Sequence, residues 1–154
     1  MAIETMCFII SEDKVLMINR NKPPFMGMWN VIGGKGKENE SPEDCVKREV
    51  YEESGIQLKK VELLSIFTWN YDENVSYAFT AELPSEYDTA GYPKNTQEGI
   101  LDFKSIDWLI NPKNFGIVED LRLFINNIKN GVKKDYHLVY KDSKLKKVKE
   151  KRKD

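Results

Sequence analysis

Histidine and cysteine are scarce in this sequence, and their scarcity closes several chemical routes. His137 is the only histidine and falls in a β-favouring segment. With no second histidine nearby it reads as structural, and neither a Ser-His-Asp triad nor a histidine zinc site has support. The two cysteines, Cys7 and Cys45, are far apart and sit in apolar contexts. Without a close partner neither fits a zinc or redox motif, so both read as reduced, buried thiols. No apolar run approaches the roughly 18–20 residues that span a bilayer, and no basic segment precedes a signal-length apolar run. A cytoplasmic protein without a membrane partner is therefore expected. Net charge is lacking too: at -1 the molecule has no overall attraction for nucleic acid, and no stable nucleic-acid partner is expected. That balance conceals a lysine-rich stretch from Lys133 to Lys153 and an acidic body before it.

What is present suits one soluble globular domain over residues 1–154, with 40% hydrophobic and 32% charged residues. Glu4 to Ile10 and Val15 to Ile18 predict two strands around a turn at Ser11–Lys14. Asn21 to Pro24 is a loop, because Pro23-Pro24 excludes regular structure. Trp29 to Ile32 predicts a short strand running into a glycine loop, Gly33-Gly34-Lys35-Gly36. Ser41 (N-cap), Pro42 (first helical position), Asp44 (capping box) and Gly55 (terminator) frame a helix from Pro42 to Ser54. Further strands are expected at Val61–Asn70, Val75–Leu83 and Leu101–Ile106, with a polar loop from Pro84 to Thr96. Helical spacing of Leu121, Phe124, Ile125 and Ile128 predicts a helix over Ile117–Ile128. Tyr136–Tyr140 and Leu145–Val148 form a C-terminal hairpin with a lysine-rich end, at about 133–154. The mixture points to a sheet covered by helices.

The first helix carries the chemistry. At roughly 100° per residue, Glu49 and Glu53 fall about 40° and 80° from Cys45, inside the arc that also holds Val46 and Val50. Glu52 falls about 20° to the other side of Cys45. Acids placed among core-facing residues are costly unless something compensates them. The i, i+3, i+4 spacing of Glu49, Glu52 and Glu53 gathers oxygens on one side, suiting a hard cation such as Mg²⁺ or Mn²⁺ whose shell phosphates complete. The competing reading is a solvated acidic face paired with Lys47 and Arg48.

The residues upstream favour the metal. Gly34, five residues, Glu40, seven residues, Arg48-Glu49, Val50, any residue, Glu52-Glu53, any residue, Gly55 and Ile56 stand in fixed register. This resembles the Nudix box at every specified position. The resemblance implies an α/β/α sandwich with a mixed sheet. It also implies that Glu49, Glu52 and Glu53 coordinate Mg²⁺ or Mn²⁺, helped by a main-chain carbonyl near Gly33. Glu40 would pair with Arg48 as structural support, Gly34 would let the loop approach the metal, and Gly55 would close the helix.

Beyond the box, Glu98 in Thr96-Gln97-Glu98-Gly99 is similar to an acidic residue preceding the corresponding strand in MutT-type oxidised-purine nucleoside triphosphatases. It would serve as a further ligand or as the base. Trp29-Asn30-Val31-Ile32-Gly33-Gly34-Lys35 resembles a Trp-Asn-x-x-Gly-Gly-Lys stretch of the same enzymes, which gives Asn30 a base-reading role and adds Lys35 to the substrate residues. An amide both donates and accepts, as a purine edge requires. Otherwise Asn30 is a strand residue bonding backbone. Val118-Glu119-Asp120 resembles a paired-acid segment that contacts the purine, although Glu119 stands where those enzymes have Asp and Val118 where they have Pro. An acidic pair at a helix N-terminus is also favourable electrostatics alone. Phe25, Trp29 and Trp108 are candidate stacking residues.

These readings converge on hydrolysis of a nucleoside triphosphate, preferably an oxidised purine such as 8-oxo-dGTP, to monophosphate and pyrophosphate. ADP-ribose, dinucleoside polyphosphates and RNA 5′ ends are alternative substrates, and a non-catalytic nucleotide-sensing module is a rival of another class. The sensor has no need of Glu49, Glu52 and Glu53 together. The sequence leaves the oligomeric state open.

Overall fold

Two runs of aliphatic residues separated by a tight turn open the chain as an antiparallel hairpin, β1 (Ile3–Ser11) and β2 (Lys14–Arg20). The computed structural model describes residues 2–151. β1 and β2 pair only at Ile10–Val15 and Ser11–Lys14 and then separate. Into the opening run β3 (Trp29–Asn30), paired with β2, and β4 (Ile32–Lys35), paired with β1. The expected glycine loop is thus partly strand, since Gly33, Gly34 and Lys35 belong to β4. The reason is steric: a Cβ on Gly33 would lie 1.9 Å from the Thr5 carbonyl oxygen, so only glycine lets the two backbones close.

The sheet continues with β5 (Glu62–Trp69), β6 (Val75–Glu82), β7 (Lys94–Asn95), β8 (Gly99–Ser105), β9 (Asp135–Lys141) and β10 (Lys144–Lys151). The order is β10-β9-β5-β6-β1-β2-β8-β7, with β3 and β4 off this path. It is mixed, because β1·β6 and β5·β9 are parallel and the other pairs antiparallel. β10 is the lysine-rich edge; residues 152–154 of that end lie outside the described residues.

Helix α1 (Pro42–Ser54) has the predicted bounds. The Asp44 N–H donates to the Ser41 hydroxyl at 3.1 Å, and Gly55 ends the helix at φ 77°. Helix α2 (Ile106–Ile110) was not anticipated, being too short to show a period; the Ser105 hydroxyl caps it by accepting from the Trp108 N–H. Helix α3 (Leu121–Asn130) begins four residues later than its spacing predicts. Trp29 N–H donates to the Gly116 carbonyl and Val118 N–H to the Trp29 carbonyl, so this stretch is committed to β3 before the helix can start.

Alternation along the strands divides the apolar residues between two layers. Cys7, Ile9, Leu16 and Ile18 pack with Val46 and Val50 of α1. Phe8, Met17, Phe67 and Leu138 pack with Phe124 and Ile125 of α3. The result is the expected α/β/α sandwich. Both cysteines are buried and free. Among the described residues no helix is long and apolar enough to cross a membrane.

Candidate active site

Arg48 organises the loop between β4 and α1. Its Nε and Nη2 donate to the two Glu40 carboxylate oxygens at 2.8 and 2.9 Å, and Nη2 also donates to the Lys35 carbonyl at 3.1 Å. The guanidinium, helped by the Lys37 backbone N–H, holds the Glu40 carboxyl down at about 2. The remaining nitrogen, Nη1, donates to Glu49 at 2.9 Å and contacts Glu52 at 3.3 Å.

The helix glutamates are divided. Glu52 is half exposed beside Arg48. The Glu49 carboxylate lies against Gly34, where a Cβ would come within 2.3 Å of it. Glu53 lines a cavity with Gly33 and Gly34 of β4. Burial foremost, then the Glu49 charge, pushes its carboxyl up to about 8; the Glu98 charge adds to the rise, while the Gly33 N–H and Arg20 oppose it. Glu98 precedes β8, held where its carbonyl accepts the Asn21 N–H at 3.1 Å. Among the described residues no three acidic, cysteine or histidine side chains converge on one point.

The cavity, of about 750 Å³, is lined by Gly33, Gly34 and Glu53 on the α1 side and by Asn30, Asp120 and Tyr140. Asn30 Oδ1 accepts the Val31 N–H at 2.8 Å. Its amide nitrogen has no hydrogen-bond partner among the described residues and remains free to donate. The acidic pair is split. Asp120 lines the cavity and is 5% exposed, and burial pushes its carboxyl up to about 6. Glu119 does not line it; its Oε2 accepts the Leu145 N–H at 3.3 Å. Lys35 is exposed and outside the cavity lining.

Of the candidate stacking residues, Phe25 borders the cavity, whereas Trp29 and Trp108 hold the Lys104 ammonium at 4.6 and 5.5 Å from their ring centres. The aromatic wall comes instead from Trp69, Tyr71 and Tyr140, which sequence reasoning missed. Trp69 and Tyr71 stack at 5.7 Å and 26°, and Tyr140 meets Tyr71 edge-on at 5.8 Å. Period-two alternation puts Trp69 on the face of Phe67, and Tyr140 on that of Leu138, but says nothing of a cavity there. Arg20 was missed as well; it is the only Lys or Arg lining the cavity among the described residues. His137 shares a 2.8 Å hydrogen bond with Thr68, in keeping with a structural role.

The sequence profile of the NUDIX domain matches residues 2–120, which include α1, β4 and the Glu98 loop. The chain belongs to the Nudix hydrolase family. A NAD-capped RNA hydrolase, NudC of Photobacterium profundum, is 35% identical over 51% of this chain and 30% of its own length. A mouse diphosphoinositol polyphosphate phosphohydrolase 3-alpha is 38% identical over 44% of this chain and 41% of its own. The chain thus spans less than half the length of these curated Nudix relatives. The MutT crystal structure from Bacillus halodurans superposes with a TM-score of 0.76 at 24% identity, covering 97% of both chains; this shows the Nudix fold throughout.

The Nudix box residues fit a divalent cation. Every donor is oxygen, which hard cations prefer. Glu49 lies against Gly34, and Glu53 is raised by burial and by the Glu49 and Glu98 charges. A cation would offset that rise.

Proposed function

We propose that this Nudix protein is a cytoplasmic single-domain pyrophosphohydrolase that uses Mg²⁺, with Mn²⁺ as a substitute, to split a purine nucleoside triphosphate into monophosphate and pyrophosphate, preferring an oxidised base such as 8-oxo-dGTP. The observation that carries this reading is one continuous cavity joining Glu53 to Asn30 and Asp120. Its volume suits a nucleotide-sized ligand. The paired rings of Trp69 and Tyr71 offer a π-face to a base. An oxidised purine exchanges the N7 acceptor for an N–H and gains a C8 carbonyl. A pocket presenting both an amide donor and a carboxylate acceptor has the means to distinguish the two bases.

Glu49, Glu52, Glu53 and Glu98, with the Gly33 carbonyl, would hold the metal. When bound it neutralises the bridging phosphates and acidifies water. Arg20, also held at its Nε by the Pro24 carbonyl at 2.9 Å, would meet a phosphate oxygen and stabilise charge on the leaving group. Glu53 lies in the cavity lining and feels the charge of Glu98, which is outside that lining; one of these carboxylates would take the proton from the attacking water. Asn30 and Asp120 would orient the base, so that the scissile phosphate stands at the Glu53 end.

The test is pyrophosphate release with Mg²⁺ across normal and oxidised nucleoside triphosphates, ADP-ribose, dinucleoside polyphosphates and 5′-triphosphorylated RNA. Preference for an oxidised purine is the expected result. Turnover confined to another diphosphate would keep the carboxylate helix and overturn the base pocket. Absence of metal-dependent turnover on the whole panel would favour the nucleotide-sensing alternative.

A further inference from the structure

The β9–β10 hairpin forms one side of the same cavity. Its turn residues Asp142 and Ser143, and Tyr140 just before them, line the cavity with Asp120 and Glu53. Asp142 and Ser143 have φ of 53° and 62°, the left-handed pair that reverses the chain in a two-residue hairpin. Two side chains from other elements tie this turn down. On one flank Asn70, after β5, donates from Nδ2 to the Tyr140 carbonyl at 3.0 Å and accepts the Tyr140 N–H at 2.8 Å. On the other flank the Glu119 carboxylate, just before α3, accepts the Leu145 N–H at 3.3 Å. Leu145 is the second residue after the turn, where the β9–β10 register shifts between Leu145 and Lys147. Asp120, the next residue after Glu119, faces the cavity.

We infer that Glu119 is a positioning residue: it clasps the C-terminal hairpin against the start of α3, so that Tyr140, Asp142 and Ser143 form a fixed wall for the base and sugar of the substrate. The inference rests on the proposed nucleotide pocket and replaces the role of Glu119 as a direct base contact. The adjacent acids divide the work, with Asp120 facing the ligand and Glu119 holding the opposite wall in place. Losing the clasp loosens the wall without touching the phosphate end, so the loss falls on binding rather than on the chemical step.

The test compares Glu119→Ala, Glu119→Gln and Asn70→Ala in the full chain, using whichever purine triphosphate the wild type prefers. Glu119→Ala and Asn70→Ala should each raise KM roughly tenfold with kcat within about twofold, the loss of one or two hydrogen bonds that hold the wall. Glu119→Gln keeps an acceptor oxygen and should restore most of the KM lost in Glu119→Ala. Amide hydrogen exchange at Leu145 should quicken in Glu119→Ala and return toward wild type in Glu119→Gln. Inorganic tripolyphosphate, which has no base or sugar, should compete equally well against all variants. A changed preference between guanine and adenine in Glu119→Gln, with Leu145 exchange unaltered in Glu119→Ala, would overturn the inference and restore a direct base contact. If the wild type turns over no nucleotide, the proposed function fails first; Leu145 exchange still reports whether the clasp exists.

Discussion

Arg48 has more carboxylates than one guanidinium can serve fully. Glu40 takes two of its nitrogens, leaving Nη1 to Glu49 and Glu52, whereas Glu53 has no ion pair among the described residues. That imbalance marks Glu53 as the group needing a cation most. Glu53→Gln should lower turnover by roughly 10²–10⁴-fold with the circular dichroism spectrum unchanged, the range expected for an essential proton-transfer or ligand group. Near-wild-type turnover would remove Glu53 from the mechanism. Asp120 gives a prediction in pH. Its carboxyl rises to about 6 in the folded protein, so the native state binds that proton more tightly than the unfolded chain does. Its contribution therefore favours folding at low pH and is lost as pH rises from about 4 to 6. Urea unfolding between pH 4 and 7 should show this slope in the wild type and a flatter profile in Asp120→Asn. Asn30→Ala should erode selection between purine and pyrimidine triphosphates more than it lowers overall cleavage; equal loss on both would argue against base reading.

At the scale of elements, adjacent glycines of β4 do different jobs, and alanine separates them. In Gly33→Ala the new Cβ meets backbone, the Thr5 carbonyl oxygen at 1.9 Å, so β4 must pull away from β1. A stability loss of about 1–3 kcal/mol or more is expected on chemical denaturation. In Gly34→Ala the Cβ meets the end of the Glu49 side chain, which can swing aside. Stability should change little while Mg²⁺ affinity falls, as isothermal titration would show. These glycines also mark where the sequence was hard to read. α1 could be read to the residue because its caps are local chemistry at Ser41, Pro42 and Gly55. Gly33 to Lys35 read as loop because glycine has low intrinsic strand preference, and only pairing with the distant β1 segment Glu4–Met6 makes them strand. The start of α3 was misplaced for the same reason, since Ile117 and Val118 are claimed by Trp29. Box spacing exposed the carboxylate end of the cavity, whereas its aromatic end depends on β5 and β9 lying side by side in parallel, which no local pattern encodes.

For the whole molecule, metal and stability should be linked. Mg²⁺ at saturating concentration should raise Tm by several degrees in the wild type, by mass action on the native state, and by much less in Glu53→Gln. An unchanged Tm in the wild type would count against a resident cation at these carboxylates. The divergence of β1 from β2 after two residue pairs carries a consequence for how the molecule responds to ligand. Elsewhere the sheet separates the two apolar layers; the cavity is lined from both, by Glu53 of α1 and Leu121 of α3. A nucleotide bound as proposed would act as a rivet between the layers. It should make the two layers open together rather than separately, slowing the labile exchange of amides on β3 and β4 in concert with those on the buried strands.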